Sequence, residues 1–480
     1  MKKTVAFAAL ASLITLTALT TATHGDGILD LGNLFNYENQ SIPSYITRDN
    51  TPTNNPITDE GATLGRVLFY DKNLSIDNSI ACASCHQQEN AFGDSNDVST
   101  GVAGVTPRHS MRLVNARFGI VETFFWDRRA ASLEEQTTMP IQDHIEMGFS
   151  GSNGDPDLDS LIRKLDAIDY YPSLFQLVFG DAQITEERMQ NALAQFVRSI
   201  QSFDTKYDVG RAQVTDNNQR PPNFTQEEQM GKQLFQTAPV FDANGSRTGG
   251  GLGCGGCHRA PEFDIDPNSR NNGVVRNYAP SANDSFDFTI TRSPNLRDVF
   301  DANGNAIAGL MHNTLVGHTP DMDGVLDHYN NIVVEPGNTT IDPRLTPGGN
   351  PQQLNMSQVE RDAVKAFLLT LSGSNVYTDE RWSDPFDTNG NLSIIGATGI
   401  AETQKTEWKV YPNPTSRFIQ IAGSNEVIDV FVYDFSGKMQ MQTTLSSNQH
   451  LDISSLPMGS YILQWRESNG GMNTNKFIKN

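Results

Sequence analysis

The sequence predicts a mostly α-helical chain with two similar domains in tandem, followed by a small all-β sandwich domain. Three observations predict this fold class. The pattern Cys-x-x-Cys-His occurs twice, at 82–86 and 254–258. Each copy lies between segments with helical periodicity. From about residue 405 onward the sequence consists of short alternating strands separated by turns.

The helical segments of the two halves correspond to each other. A short helical pattern containing Gly65 precedes the first motif, and one containing Gly231, with Thr225 as its candidate N-cap, precedes the second. Each half closes with an amphipathic helix, at about 186–202 and about 357–371, whose apolar residues recur three and four apart. The repeated order of helix, motif, long loops and helix indicates two related domains. We place them at 25–206 and 207–374.

The first 24 residues have the features of a secretory signal peptide. Lys2 and Lys3 precede an apolar run from Val5 to about Leu19, which then gives way to small and polar residues. The run is too short, and too often interrupted by Ser and Thr, to span a bilayer comfortably, and no later stretch is long and apolar enough. We therefore assign 1–24 to a signal peptide and expect an exported protein with no membrane span after processing.

The C-terminal part combines a linker with a strand-rich domain. Residues 375–404 are rich in Ser, Asp, Asn, Gly and Thr, which is typical of a linker. From 405 to 480 we expect about seven short strands separated by turns, for example at 418–421, 427–433 and 460–465. This length and pattern predict a small β-sandwich.

Charge and cysteine content restrict the function. The formal net charge of −21 argues against nucleic acid as a partner, because phosphates require a basic face. Acidity favours a basic electron-transfer partner, although it equally serves solubility alone. The chain has four cysteines, all within the two motifs, so none remains for a disulfide once both motifs are used.

The spacing of the two motifs has a chemical reason. On one helical turn, two thiols add to the two vinyl groups of a haem, and the histidine that follows reaches the iron. The proximal ligands are then His86 and His258. The alternatives are a redox dithiol and a zinc site, but a zinc ion held by four cysteines, or by two cysteines and two histidines, would leave ligands of the two motifs unused. We therefore expect two covalently bound haem c groups and two c-type cytochrome domains in tandem. The covalent anchors are Cys82, Cys85, Cys254 and Cys257.

The sixth coordination position of each iron separates an electron carrier from an enzyme. A carrier closes both irons with strong ligands, whereas a peroxidase leaves one iron open for peroxide. After its motif, the first domain offers His109 and His144 as ligands. The candidates in the second domain are Met311, His312, His318, Met322, His328 and Tyr329.

Over roughly residues 50–373 the chain resembles the bacterial di-haem cytochrome c peroxidases and their MauG-like relatives. Besides the two haem motifs, the resemblance is carried by ordered blocks at 64–71, 107–111, 124–136, 139–142, 146–147, 292–299, 311–313 and 326–330. It implies that the N-terminal haem reacts with peroxide and that the C-terminal haem receives electrons.

The resemblance also implies three catalytic residues. Trp126 matches the tryptophan between the two haems, and Gln136 and Glu146 match the pair on the distal side of the peroxidatic haem. A carboxylate suits this place because cleavage of the O–O bond moves a proton from the inner to the outer oxygen, and a positioned acid/base contributes ~10²–10⁴ in rate. An amide donor can stabilise developing charge. Without the matched blocks, Trp126 is equally consistent with a core residue and Glu146 with a surface carboxylate.

The first departure from the family concerns the peroxidatic haem. Many family peroxidases carry a ligand histidine in the loop after the first motif, but residues 94–106 contain none. We therefore expect the iron at His86 to be open in the resting ferric state. His109 occupies the position of an asparagine that contributes to an inter-domain calcium ion in the family, which leaves one calcium ion as an open question.

The second departure concerns the sixth ligand of the C-terminal haem. Many family peroxidases use a methionine there, whereas Tyr329 aligns with this position, as in MauG-like proteins. A phenolate ligand would lower the potential of that haem and stabilise high oxidation states. Met322 and His328 are the alternatives within the same predicted helix.

The C-terminal segment resembles the type IX secretion sorting domain of Bacteroidetes. The resemblance rests on the blocks 410–415, 459–463 and 476–479. It implies a transport address that is read by the secretion machinery and takes no part in the chemistry. A carbohydrate-binding or adhesive β-module is the alternative.

These inferences predict a di-haem cytochrome c peroxidase that reduces hydrogen peroxide to water. Electrons from a small cytochrome c or cupredoxin would enter at the haem of His258 and pass by way of Trp126 to the haem of His86. A MauG-like enzyme that uses peroxide to oxidise side chains of a partner protein is the first alternative, and a non-catalytic di-haem electron carrier is the second. We expect the protein in the periplasm, at the cell surface or secreted.

Overall fold

The structure is a computed structural model that describes residues 25–120, 123–265, 267–275, 286–301, 303–314, 322–396, 409–422, 428–434, 438–445, 450–466 and 472–480. The chain divides into a mostly helical unit, which ends at residue 398, and a β unit, which begins at residue 399. The predicted signal peptide at 1–24 and the candidate ligand His318 lie outside the described residues.

The first unit contains ten helices among its described residues: α1 Asp59–Tyr70, α2 Cys82–Cys85, α3 Leu133–Thr138, α4 Leu158–Asp166, α5 Tyr170–Phe179, α6 Glu186–Ser199, α7 Lys206–Arg211, α8 Gln226–Gln236, α9 Asp323–Asn330 and α10 Gln358–Leu369. Its short strands are β1 Ile28–Asp30, β2 Pro239–Phe241, β3 Arg247–Gly250, β4 His258–Arg259, β5 Asp264–Ile265 and β6 Ser393–Ile395. Within the described part of the chain, no helix combines the length and the apolar character that a bilayer crossing requires.

Hydroxyl side chains begin the four helices that frame the two halves. Thr58 and Thr185 cap α1 and α6, and Ser357 forms a capping box with Glu360 at the start of α10. Thr225, the predicted N-cap, forms a capping box with Glu228 at the start of α8 and is thereby confirmed. Local sequence therefore determines where these helices begin.

A glycine lies at the crossing of each helix pair. In the first half α1 packs on α6, and in the second half α8 packs on α10. A Cβ at Gly65 would overlap the carbonyl oxygen of Ala192, and a Cβ at Gly231 would overlap that of Ala363. The internal duplication read from the sequence therefore corresponds to two helix pairs that approach closely at equivalent glycines.

Each helix pair contributes to its own hydrophobic core. The first core is built mainly from α1, α5 and α6, with Phe69 and Phe196 among its buried side chains. The second is built mainly from α8, α10 and the loops between them, with Phe235 and Phe367 in equivalent roles. The two haem-binding motifs lie at the edges of these cores.

The segment that we interpreted as a linker, 375–404, differs from the expectation in its described part. Val376, Trp382 and Phe386 are buried in the first core, and the indole Nε1 of Trp382 lies 3.2 Å from the Ser199 hydroxyl. Strand β6 pairs in parallel with β1. A few widely spaced apolar side chains anchor this segment, and its polar composition conceals them. Residues 397–404 lie outside the described residues.

The second unit contains seven strands among its described residues, in agreement with the predicted number: β7 Lys409–Tyr411, β8 Phe418–Ala422, β9 Ile428–Asp434, β10 Met439–Leu445, β11 His450–Asp452, β12 Gly459–Arg466 and β13 Met472–Lys479. They form a four-stranded sheet in the order β10-β9-β12-β13 and a three-stranded sheet in the order β11-β8-β7. Side chains of both sheets, such as Ile419 and Leu463, share one core.

Candidate active site

The first motif forms one wall of a pocket, which we call the first pocket. Helix α2 carries Cys82 and Cys85, and His86 follows it immediately. The Nδ1 atom of His86 lies 3.0 Å from the carbonyl oxygen of Phe92. This contact orients the ring and leaves Nε2 directed away from that carbonyl. Cys82, Cys85 and His86 all line this pocket.

The second motif is arranged in the same way. Cys254, Cys257 and His258 line a second pocket. The Nδ1 atom of His258 lies 2.9 Å from the carbonyl oxygen of Pro294. A backbone carbonyl on Nδ1 fixes the tautomer and ring orientation that a metal-ligating imidazole needs at Nε2. Tyr329, on α9, lines the same pocket.

Both sites fit a covalently attached haem. All four cysteines are free thiols and line the two pockets. Burial raises the pKa of Cys82 and of Cys254 to about 12, whereas a reactive dithiol requires a stabilised thiolate. Among the described residues, no three His, Cys, Asp or Glu side chains converge as they would in a structural zinc site. The donor set of each pocket is thus two thiols and one oriented imidazole.

Glu146 and Gln136 both line the first pocket. Burial, reinforced by the neighbouring carboxylate of Asp143, raises the pKa of Glu146 to about 7, and the Arg129 guanidinium opposes this shift. Gln136 lies on α3, which Ser132 caps at its N-terminus. The structure thus brings an amide and a carboxyl group with a pKa near neutrality to the cavity that His86 lines.

The backbone of Glu146 is held from two sides. Its N–H donates to the Asp143 side chain at 3.0 Å, and its carbonyl accepts from the N–H of Val102 at 3.1 Å. A Cβ at Gly101 would overlap the carbonyl oxygen of Ile145, so the loop that carries Gly101 can approach only because this residue is glycine. The loop after the first motif therefore positions Glu146.

Trp126 lies where the two halves meet. It lines the second pocket and also a third cavity, which we call the joining cavity because His86 and Glu146 line it as well. Its indole Nε1 donates to the carbonyl of His109 at 2.7 Å, and its ring centroid lies 5.8 Å from that of His312. Its carbonyl accepts from the N–H of Arg292 at 2.7 Å. Trp126 is 8% exposed and is held by both halves.

The candidate ligands of the second haem separate into two groups. Tyr329 and Met322 line the second pocket, as do Met311 and His312. Burial, together with the nearby Cys257, raises the pKa of Tyr329, while a hydrogen bond with Asn272 opposes this shift. His328 instead directs its Nε2 to the carbonyl of Asn272, at 2.8 Å.

The other histidines of the first domain lie away from the first pocket. His109 lines the second pocket and the joining cavity, and its Nδ1 lies 3.1 Å from the carbonyl of Asn96. His144 pairs with Asp155 at 2.8 Å. Among the described residues that line the first pocket, His86 is the one histidine. The geometry of the described residues does not bear on the inter-domain calcium ion that the family resemblance implies, since His109 replaces the asparagine that contributes to it in the family.

Sequence reasoning missed several lining residues. The thioether of Met147, beside Glu146 in sequence, also lines the first pocket. Two arginines, Arg112 and Arg292, line both the second pocket and the joining cavity. A methionine or an arginine in a loop carries no local pattern, so only the fold reveals these positions.

Comparisons with known proteins agree with this geometry. Residues 59–215 match the family model for di-haem cytochrome c peroxidase, and residues 409–480 match that for a secretion system C-terminal sorting domain. The methylamine utilization protein MauG of Methylophilus methylotrophus is 36% identical over 158 residues, which is 33% of this chain and 44% of that protein. The MauG of Methylorubrum extorquens is 29% identical over 328 residues, which is 67% of this chain and 80% of that protein.

Among solved structures, a MauG-like protein associated with microbial copper homeostasis is similar to this chain with a TM-score of 0.56 and 25% identity. The similarity covers 73% of this chain and 99% of that protein. The second Cys-x-x-Cys-His motif lies beyond the segment that the peroxidase family model matches. Residues 59–215 therefore form a segment that matches the di-haem cytochrome c peroxidase family, and residues 409–480 match a secretion system C-terminal sorting domain.

Proposed function

We propose that this protein is a di-haem cytochrome c peroxidase that reduces hydrogen peroxide to water. In this proposal the two halves are c-type cytochrome domains in tandem, each with one covalent haem c. Electrons come from a small cytochrome c or cupredoxin, enter at the site of His258 and reach the site of His86. The observation that carries the proposal is the pair Glu146 and Gln136 in the wall of the pocket that His86 lines.

The side chains of the first pocket can manage the proton of the reaction. A haem bound there supplies an iron that binds peroxide and the electrons that break its O–O bond. Glu146, with a pKa of about 7, can take the proton from one peroxide oxygen and return it to the departing one at neutral pH. The Gln136 amide can donate a hydrogen bond to the oxygen that gains negative charge.

Trp126 supports electron transfer between the two sites. It lines both the second pocket and the joining cavity, so it occupies the space through which an electron would pass. Its hydrogen bond to the His109 carbonyl and the bond it accepts from Arg292 hold it between the halves. We assign it the role of relay.

Steady-state assays and haem counting test the proposal. Haemochrome analysis should give two covalent haems, and Cys254→Ala or Cys257→Ala should remove only the anchorage of the second. Hydrogen peroxide should then be consumed in proportion to the oxidation of a reduced small cytochrome c. One haem per chain, or no turnover with any small donor, would contradict the proposal.

A MauG-like activity is the second candidate, and Tyr329 is the observation that favours it. This tyrosine lines the second pocket, where a phenolate ligand would stabilise high oxidation states. In that case a partner protein's side chains would supply the electrons. Rapid peroxide consumption without oxidation of small donors, accompanied by oxidation of side chains on an added partner, would select this candidate. A pure electron carrier would show neither reaction.

We further propose that the protein is exported and delivered to the cell surface or the medium through the sorting domain at 409–480. Removal of residues 405–480 should leave the haem unit in the periplasm with unchanged haem content. Cell fractionation of the two forms measures this, and an unchanged distribution would oppose the proposed address.

A further inference from the structure

Two arginine side chains, one from each half, reach the space between the haem pockets. Arg112 follows the loop after the first motif, and Arg292 lies two residues before Pro294, whose carbonyl orients His258. Both arginines line the second pocket and the joining cavity. The joining cavity in turn extends to His86 and Glu146. The two guanidinium groups therefore lie between the sites that the two haems would occupy.

Arg292 has a hydrogen-bond donor that the described residues leave unused, although the Asp264 carboxylate lies within ion-pair distance. Arg292 is 7% exposed, and its Nε is buried without a hydrogen-bond partner. One Nη donates to the carbonyl of Thr123 at 3.0 Å, and the ion pair with Asp264 is 3.9 Å long, beyond hydrogen-bonding distance. A buried guanidinium without a bonded carboxylate is costly. The site thus has an unused capacity for an anion.

Arg112 likewise has hydrogen-bond donors that the described residues leave unused or weakly bonded. Its Nε is also buried without a partner, and an Nη makes one long bond of 3.3 Å to the carbonyl of Ala308. The described residues give it no ion pair within 4.0 Å. Burial lowers the pKa of Arg112 to about 10, partly offset by Tyr377 and Asp298. The Asp298 carboxylate is itself engaged by the Gly373 N–H and the Tyr377 hydroxyl.

Arg297 differs from these two arginines in its bonded carboxylate, although its Nε is likewise buried without a hydrogen-bond partner. It is fully buried, and two of its nitrogens bond the Asp208 carboxylate at 2.7 and 2.9 Å. The fork of donors on a guanidinium matches the two oxygens of a carboxylate. Arg112 and Arg292 have this fork but no such carboxylate, and both line a cavity.

We propose that Arg112 and Arg292 form a carboxylate-binding site shared by the two pockets, and that its ligands are the propionate groups of the two haems. This inference rests on the proposed function, because it requires a haem in each pocket. The two guanidinium groups would lie next to both haems. Their positive charge would stabilise the reduced form of each haem, which carries one more electron. The site would thereby couple the reduction potentials of the two haems.

Spectroelectrochemical titration of the full-length, haem-loaded protein tests this site. Arg112→Gln and Arg292→Gln should each lower the midpoint potential of at least one haem. The expected effect is a tenfold or larger change in the ratio of oxidised to reduced haem at fixed potential, which is about 59 mV for a one-electron couple. Arg117→Gln is the matched control, because Arg117 pairs with Asp49 at 2.6 Å and lines none of the three cavities. Its potentials should be those of the wild type.

Wild-type potentials in both Gln variants would overturn the inference while leaving the proposed peroxidase intact, since haem content and peroxide turnover are measured separately. Repeating the potential titration at increasing concentrations of inorganic phosphate distinguishes the haem propionates from free anions as the ligands of the two arginines. Potentials that do not respond to phosphate support the propionates, and a response that the Gln variants abolish would assign the site to free anions and overturn the proposal.

If a Gln variant does not incorporate haem, Arg112→Lys and Arg292→Lys decide the question. They keep the charge but lose the planar fork. The propionate-bending bands in the resonance Raman spectrum should shift relative to the wild type, because the hydrogen bonds to the propionates change. Unshifted bands in both Lys variants would overturn the inference.

Discussion

At the residue scale, the proposed peroxidase activity depends on a carboxyl group whose surroundings differ from those of a surface glutamate. Glu146 is half-buried in the wall of the first pocket, with Asp143 as a like-charged neighbour. Both effects disfavour the ionised form and bring the pKa into the range in which general acid–base catalysis is effective at neutral pH.

We predict that Glu146→Gln keeps both haems and peroxide access but loses ~10²–10⁴ in the rate of reaction of the ferric protein with peroxide, because the proton can no longer be moved. The Glu146 carboxyl group must be ionised before it can accept the proton. The wild-type rate should therefore rise with pH through about 7, whereas the rate of the variant should show no such rise. Stopped-flow mixing with peroxide across this pH range measures both effects. Glu135→Gln, a change at an exposed neighbour on α3, is the control.

Gln136→Ala should cost less than Glu146→Gln, because it removes one donor and leaves the acid/base in place. A rate for Glu146→Gln equal to that of the wild type would remove the support for the catalytic assignment.

The second prediction at this scale concerns Tyr329. In its aligned position it should be the sixth ligand of the second haem, so Tyr329→Phe should convert that haem from low-spin to high-spin. Met322→Leu, a change of another side chain in the same pocket, should leave the low-spin spectrum unchanged. Optical and EPR spectra of the ferric variants measure the spin state, and an unaltered Tyr329→Phe spectrum would refute the assignment.

Local sequence was sufficient to predict the thiols and the imidazoles of the two motifs, but it did not predict which residues contact them. Cys-x-x-Cys-His identifies the thiols and the imidazole because spacing alone determines that chemistry. The carbonyl of Pro294 lies far along the chain from His258, so only the fold reveals it. His328 and Tyr329 are adjacent in sequence, yet successive residues on a helix point about 100° apart, and the two face different surroundings.

At the scale of elements, the two helix pairs depend on close approach at one glycine each. Gly65 faces the Ala192 carbonyl and Gly231 faces the Ala363 carbonyl. The sequence showed these glycines as a weak repeat, and the structure shows the steric reason for it.

We predict that Gly65→Ala and Gly231→Ala each lower the free energy of unfolding by ~1–3 kcal/mol, because an added methyl group forces the helices apart. Urea denaturation of the haem-loaded protein, followed by far-UV circular dichroism, measures this. Gly249→Ala is the matched control, since a Cβ there meets no atom within 4 Å. Equal stability of all three variants would contradict the helix-crossing argument.

The prediction of a linker failed in the segment where a few buried apolar residues lie among many polar ones. Residues 375–396 look like a linker in sequence because turn-forming residues outnumber apolar ones. Three buried side chains are nevertheless enough to attach the segment to the first core. Strand number in the second unit was predictable because alternation and turns are local signals.

At the scale of the whole molecule, ion pairs connect segments that are distant in sequence. Arg297 bonds Asp208 and the carbonyl of Ser202, and the Tyr45 hydroxyl donates to the same carboxylate. This buried cluster joins the N-terminal segment, the end of the first half and the loop that follows the second motif.

We predict that Arg297→Leu destabilises the protein by ~3–5 kcal/mol, because it leaves the buried Asp208 carboxylate without a counter-charge. Arg188→Leu breaks an ion pair in which Asp181 is 57% exposed, and its effect on stability should be much smaller because solvent screens the pair. Thermal and urea unfolding of both variants tests the difference. Similar losses would show that the buried cluster does not hold the halves together.

The proposed peroxidase activity requires that the site of His86 hold an open iron that reacts with peroxide. The first pocket supports this claim, because among its described lining residues His86 is the one histidine and Glu146 and Gln136 lie in its wall. Met147 also lines this pocket. The Met147→Leu variant removes the sulfur atom that would compete with peroxide for the iron.

EPR of the fully oxidised protein, recorded before and after addition of hydrogen peroxide, tests this claim most directly. We predict one high-spin and one low-spin ferric haem in equal amounts, with the high-spin signal lost at once on addition of peroxide and without prior reduction. Two low-spin haems, with reactivity that appears only after partial reduction, would contradict the account.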